Sequence, residues 1–192
     1  MSQPTTVRGH LADRSAAAVM RWHNTLTLKT ESDAEHQFFV AESASLICQL
    51  LAHYNIAWAN ELDAVTMARM HDKAETEVGD IVGQAKRRCP ELAQVARMAE
   101  VGAATNLLFD GLPESIARYY RVLLRRALWM DEDDLEAQIV LYCDRLGAYT
   151  FACQEMHLGN SEVKRLVDAC YQELQEMTWP WLVALRKAAD VI

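Results

Sequence analysis

The residues of this 192-residue chain best suited to chemistry are two histidines and three carboxylates: His36, the adjacent His71 and Asp72, Glu75 and Asp144. The doublet sits in the stretch RMHDKAETEVGD, residues 69 to 80, after the apolar-periodic positions Leu62, Val65, Met67 and Ala68. An isolated His-Asp pair is ordinarily a satisfied core histidine or part of a solvated face. Its company changes that reading. His36 lies in ESDAEH, and Asp144 is set among Ile139, Val140, Leu141, Tyr142, Cys143, Leu146 and Ala148. Each polar group stands where an apolar core face is expected, and a buried, unpaired carboxylate is costly. One cation shared by all of them removes that cost. Two imidazoles and two carboxylates form a borderline-to-hard donor set, suited to divalent Mn, Fe, Co, Ni or Zn. Adjacent helical side chains diverge by about 100°, yet can converge on an ion lodged between their faces.

The elements that must position these groups are helical. Seven glycines and four prolines are sparse, and long segments carry Ala, Leu, Glu, Arg, Gln and Met, which lose little rotamer freedom in a helix. Residues 1–9 read as a loose terminus and 10–22 as a helix ending at Arg21 and Trp22. The Thr-, Asn- and Ser-rich connection that follows ends in Ser32 or Asp33, either of which can cap a helix over 34–53. A second long helix is expected over 60–77, carrying the His-Asp doublet near its end before the stop signal Gly79. A turn with the basic residues Lys86, Arg87 and Arg88 precedes a helix from Pro90 to about Phe109, and Pro113 opens another that ends near Met130. That helix bears a stripe of Arg118, Arg121, Arg125 and Arg126, read as a solvated face or as packing on the acidic cluster at 131–134. A helix over 135–157 carries Asp144. Gly159 and Asn160 stop it, and a last helix over 161–191 is expected to kink at Trp179, Pro180 and Trp181.

Composition narrows the function. With 51% hydrophobic residues the chain can bury one sizeable core, so residues 1–192 read as one all-α domain. A net charge of −8 argues against attraction to a nucleic acid polymer or an anionic membrane, so an anionic substrate needs local cations. Five cysteines form no Cys-x-x-Cys pair and mostly sit in apolar runs, as reduced core residues do. No signal peptide and no run of about 18 apolar residues is present, which predicts a soluble cytoplasmic protein.

The order His36, His71-Asp72, Asp144 resembles the pattern of HD-domain metal-dependent phosphohydrolases. The surrounding words are more specific: RW at 21–22, TES-x-AEH at 30–36, MHDKAE at 70–75, GD at 79–80, Lys86, CDRLGAY at 143–149 and GN at 159–160. They resemble the bacterial HD-domain 5′-deoxynucleotidases and the related phage dATP triphosphohydrolases over about residues 17–160. The resemblance implies an HD-type helical bundle in which His36, His71, Asp72 and Asp144 hold one divalent transition metal ion (Co, Mn, Zn, Fe or Ni). The ion would bind the α-phosphate and lower the pKa of an attacking water. Glu75 would be the general acid or water-orienting carboxylate, Arg21 the phosphate clamp, and Trp22 the wall that disfavours a 2′-hydroxyl. Asp80 and Lys86 match rim positions, with Lys86 a further phosphate contact.

One turn departs from that pattern. Where the monophosphate hydrolases carry a proline-threonine-proline turn after GD, residues 81–86 here read IVGQAK, and His23 replaces a frequent proline. The expected activity is hydrolysis of deoxyribonucleoside 5′-phosphates at the α-phosphate, releasing the deoxynucleoside. A triphosphohydrolase releasing triphosphate and a non-catalytic nucleotide-binding protein stand as alternatives. A cyclic-nucleotide phosphodiesterase calls for further paired histidines, a context that His10, His23, His53 and His157 lack. Family habit and the supply of apolar helix surface suggest a dimer or larger homo-oligomer.

Overall fold

The structure, a computed structural model, describes residues 15–22, 24–79, 88–103, 109, 112–129, 131 and 133–189. Among them are eight α-helices: α1 (Asp33–His53), α2 (Glu61–Ala68), α3 (Glu75–Val78), α4 (Pro90–Ala103), α5 (Glu114–Leu128), α6 (Leu135–His157), α7 (Lys164–Glu176) and α8 (Pro180–Ala188). A 3₁₀ turn, Ser161–Val163, leads into α7. The described residues contain no β-strand; one isolated antiparallel bridge joins Met20 and Ser32. None of these helices is long and apolar enough to cross a membrane.

Helix α6 is the axis of the bundle. It packs against α1, α2, α5 and α7, and buries residues on several sides, among them Ile139, Tyr142, Cys143, Ala148 and Phe151. A helix apolar around much of its circumference belongs in the interior. Val40, Ala44, Ile47 and Leu51 of α1 meet Ala64 and Met67 of α2 and Ile139 and Tyr142 of α6 in one core, which Leu182 and Leu185 of α8 close. Both long helices begin on caps that their sequences announce. Ser32 accepts from the Glu35 amide while the Glu35 side chain accepts from the Ser32 amide, and Asp134 accepts from the Ala137 amide. Asp134 also pairs with Arg126, which reaches Glu136 and Asp63 as well. That member of the arginine stripe packs on acidic residues, as expected, and ties α5 to α2 and α6.

Three expected elements differ. The helix expected over 10–22 has ended within the described residues 15–18, and the chain is already out of helix at Arg21 and Trp22. Residues 19–21 instead pair with 31–33: the Arg21 amide donates to the Glu31 carbonyl and the Asp33 amide to the Val19 carbonyl. The helix expected over 60–77 is broken between α2 and α3. Met70, Lys73 and Glu75 bond to carbonyls three residues back, and this tighter winding replaces α-helix where the His-Asp doublet lies. The helix from Pro90 is described only as far as Ala103, and Phe109 is buried beyond it. The last segment is two helices rather than one kinked one. Pro180 takes the first position of α8, where its missing N–H is not needed. Arg186 reaches back to donate to the carbonyls of Leu174 and Met177 at the end of α7.

Candidate active site

Three elements converge on one polar spot in this core. His36 stands in the first turn of α1, its imidazole buried, and its Nε2 lies 2.9 Å from Asp144 Oδ1 on α6. The third group comes from the break between α2 and α3, not from a long helix as expected. His71 Nδ1 lies 2.7 Å from the Ala68 carbonyl, which can only accept, so Nδ1 carries a proton and Nε2 is the nitrogen left to face the site. This bond also covers a carbonyl at the end of α2. Nε2 is buried, makes no hydrogen bond, and lies 3.2 Å from Asp72 Oδ2 and 3.9 Å from Asp144 Oδ1. A dehydrated ring nitrogen facing two carboxylates calls for positive charge between them, a proton on Nε2 in the absence of an ion or the ion in its place. One ligand atom each from His36, His71 and Asp144 lies within 4.8 Å of the others. The donor set and the orphaned nitrogen fit a divalent ion.

Asp72 stands between this triad and a second group. Its Oδ2 is 3.8 Å from His36 Nε2 and accepts from Arg21 Nη1 at 2.7 Å. With Asp33 and Glu75, both buried, it forms a carboxylate cluster whose ligand atoms also lie within 4.8 Å of one another. Arg21 answers that charge, with Nη1 also 3.9 Å from Asp33 and Nε 3.5 Å from Glu31. The electrostatics follow. Burial lowers the His71 pKa, but the adjacent Asp72 carboxylate more than reverses this and lifts it from 6.5 to about 9. Burial pushes Asp72 up, yet His71, Arg21 and His36 hold it well below the usual carboxylate range. Asp144 is likewise held low against burial, by Arg145 and the two imidazoles. Both carboxylates are therefore ionised, as metal ligands must be.

Trp22 adopts φ 62°, a left-handed conformation that bulky side chains rarely take. Its indole Nε1 donates to Glu31 Oε2 at 2.7 Å, and its ring stacks on Phe151 of α6 at 5.2 Å with planes 4° apart. Arg21 and Trp22 thus present a cation and a flat apolar wall side by side at the rim of the polar cluster.

A family model described as YfbR-like 5′-deoxynucleotidase matches residues 14–186. The chain belongs to this family. Among relatives, it is 25% identical over 167 residues to the 4′-phosphooxetanocin A phosphatase of Priestia megaterium, covering 85% of this chain and 82% of that one. It is 28% identical over 144 residues to a 5′-deoxynucleotidase of Vibrio vulnificus, covering 75% and 72%. In fold it is similar to an HD-domain phosphohydrolase from Listeria innocua, at 20% identity with a TM-score of 0.77 over 95% of this chain and 86% of that one. A protein from Pyrococcus horikoshii has a TM-score of 0.72 at 22% identity, covering 94% and 96%. Membership in the 5′-deoxynucleotidase family makes this protein an enzyme, a hydrolase of the all-α HD class.

Of the residues singled out in the sequence, the structure brings together Arg21, His36, His71, Asp72, Glu75 and Asp144, with Trp22 at the edge. Asp80 and Lys86 lie outside the described residues. Sequence reasoning missed Asp33, because an acid in the first turn of a helix is ordinary there, and Glu31, which looked like part of a connection. It also missed the role of Gly147. A Cβ at that position would lie 3.0 Å from His36 Cε1, 3.1 Å from His36 Nδ1 and 3.2 Å from Phe39 Cδ1. His36 Nδ1 is buried without a hydrogen-bond partner, so on that side of the ring packing rather than an acceptor sets its orientation. Gly147→Ala is expected to displace the imidazole and weaken ion binding by at least about tenfold, with helix content unchanged. Metal titration followed alongside far-ultraviolet circular dichroism checks both halves of that expectation.

Proposed function

We propose that this family member hydrolyses deoxyribonucleoside 5′-monophosphates at the α-phosphate, releasing the deoxynucleoside and orthophosphate. The observation that carries the reading is the juxtaposition of the His36, His71 and Asp144 triad with Asp72, Glu75 and Arg21 in one cluster, in which His36 and Glu75 are buried and the others half-buried. His36, His71, Asp72 and Asp144 would hold the ion, and the mixed imidazole and carboxylate set suits Co, Mn, Zn, Fe or Ni. When bound, such an ion supplies Lewis acidity to the phosphoryl group. Arg21 offers its guanidinium to the phosphate oxygens, where two parallel donors match the geometry and the local carboxylates keep the cation in place. Glu75, buried beside Asp72, gives a proton to the departing 5′-oxygen. Asp80 and Lys86 complete the rim of the reading, with Lys86 a second phosphate contact.

Trp22, stacked on Phe151 and bonded to Glu31, is the wall against the sugar. A packed indole leaves no partner for a 2′-hydroxyl. Trp22→Ala is expected to erase most of the preference for deoxy- over ribonucleotides, by about a hundredfold in the ratio of kcat/KM values; parallel kinetics on dAMP and AMP measure it. We read residues 1–192 as one domain working in the cytoplasm on small nucleotides, with no nucleic acid polymer and no membrane as partner. Exposed apolar side chains at Phe38, Leu46, Trp58 and Leu62 support assembly as a dimer or larger homo-oligomer.

Product analysis with dAMP and dATP side by side, in the presence of Mn or Co, tests the activity. Orthophosphate from dAMP supports the nucleotidase. Triphosphate from dATP would replace it with a triphosphohydrolase, and no product with any divalent metal would leave a nucleotide-binding protein.

A further inference from the structure

Beyond the polar cluster, helix α6 carries a second buried carboxylate. Glu155 is fully buried, and a carboxylate in that position must be satisfied entirely by protein donors. Its partners are not on neighbouring helices. They are the backbone amides of the connection between Trp22 and α1: Leu28 N donates to Oε2 at 2.6 Å and Lys29 N to Oε1 at 2.7 Å. The Asn160 amide donates to Oε2 at 2.8 Å and, from the same nitrogen, to the Leu26 carbonyl at 2.8 Å. Burial opposes the charge on Glu155, yet these donors hold its carboxyl below the ordinary range. Residues 26–29 are thereby strapped onto the end of α6.

The spacing along α6 gives the strap its meaning. Phe151 and Glu155 lie seven and eleven residues beyond Asp144, so at about 100° per residue both fall within about 20° of a line drawn along the helix through Asp144. On that line Asp144 faces the candidate ion, Phe151 carries the Trp22 ring, and Glu155 holds the chain a few residues further on. Trp22 sits in a left-handed conformation that persists only where the surroundings enforce it. On one side the pairing of 19–21 with 31–33 and the bond to Glu31 hold it; on the other, the chain runs on to the strap at 26–29.

We propose that Glu155, with Asn160, is a positioning residue for substrate selection, fixing the 26–29 strap to α6 and so the backbone that presents Arg21 and Trp22. The proposal rests on the reading of those two residues as phosphate and sugar contacts. It predicts an effect on sugar discrimination and on KM rather than on the ion or on proton transfer, because Glu155 touches neither.

The test compares wild type with Glu155→Gln and Asn160→Ala, measuring kcat and KM on dAMP and AMP, bound metal and Tm. Glutamine keeps the shape of Glu155 but sets an amide NH₂ against a donor whichever way it is turned. Asn160→Ala removes one arm of the clamp and leaves both backbone bonds to Glu155. The expected result for Glu155→Gln is a loss of about tenfold in deoxy over ribo discrimination, mostly through a raised KM for dAMP, with metal content unchanged and a smaller loss in Asn160→Ala. Discrimination and KM unchanged in a folded Glu155→Gln protein would overturn the proposal. So would loss of the fold or of the ion in both variants, since the clamp would then support the whole bundle rather than its rim. A wild type that turns over neither nucleotide, or both equally, would instead reject the underlying reading. Amide exchange over residues 24–31 then decides the strap separately: faster exchange in Glu155→Gln keeps it, and unchanged exchange removes it.

Discussion

Replacing Asp72 by alanine is expected to abolish ion binding and hydrolysis together. Among the described residues, Asp72 Oδ2 is the oxygen that reaches both imidazoles and the Arg21 guanidinium, at 3.8 Å, 3.2 Å and 2.7 Å. Its removal takes a carboxylate from the candidate ligand set and leaves the half-buried cation of Arg21 with Asp33 and Glu31 at the longer distances of 3.9 Å and 3.5 Å. The two losses compound, because groups that act as a unit fail as one. Activity on dAMP should fall by more than about 10³-fold, and metal retained after desalting should fall to background. A variant that kept the ion but lost activity would confine Asp72 to holding Arg21, and one that kept both would remove it from the site. Thermal unfolding monitored in the same samples separates these outcomes from misfolding.

Glu75→Gln is expected to give the opposite combination, full ion content with turnover reduced by about 10² to 10⁴. Glu75 is buried in the carboxylate cluster with Asp33 and Asp72 but lies outside the His36, His71 and Asp144 triad. Glutamine preserves its volume and polarity while removing the transferable proton. If the role is protonation of a departing alkoxide, the defect should shrink on an aryl phosphate such as p-nitrophenyl phosphate, whose leaving group departs without a proton. An equal defect on both substrates would assign Glu75 to orienting water or to shaping the cluster. Loss of metal in this variant would move it into the ligand set.

The two variants divide the cluster along a line that the fold itself draws. Asp72 belongs to the break after α2 and lies against the triad, whereas Glu75 opens α3 and lies in the neighbouring carboxylate cluster with Asp33 and Asp72. Were residues 60–77 a single helix, Asp72 and Glu75 would lie on one continuous cylinder. The tighter turn lets adjacent residues serve the two sides of the site.

The chain itself determined its helices and the identity of the polar groups among them. The 3.6-residue spacing of Val40, Ala44, Ile47 and Leu51, the Ser32 to Glu35 cap and the run around Asp144 are local signals that need no tertiary partner to be read. The wording around His36, His71 and Asp144 pointed to a shared cation for the same reason: residue type alone makes their burial costly. Tertiary structure decided what depends on contacts far apart in sequence. The α2 helix stops where His71 turns back onto the Ala68 carbonyl and sets its Nε2 against Asp72 and, on α6, Asp144, an arrangement with no trace in local propensity. Arg21 and Trp22 left the expected helix to pair beside residues 31–33, where Glu31, Phe151 and Asp72 hold them. Gly147 reads as a weak spot in a helix until the His36 ring is seen against it, and Glu155 reads as one more surface acid until two backbone amides, more than 100 residues earlier, are found bonded to it. Helix formation follows local sequence, while the satisfaction of a buried charge is settled only by whichever donors the fold brings to it.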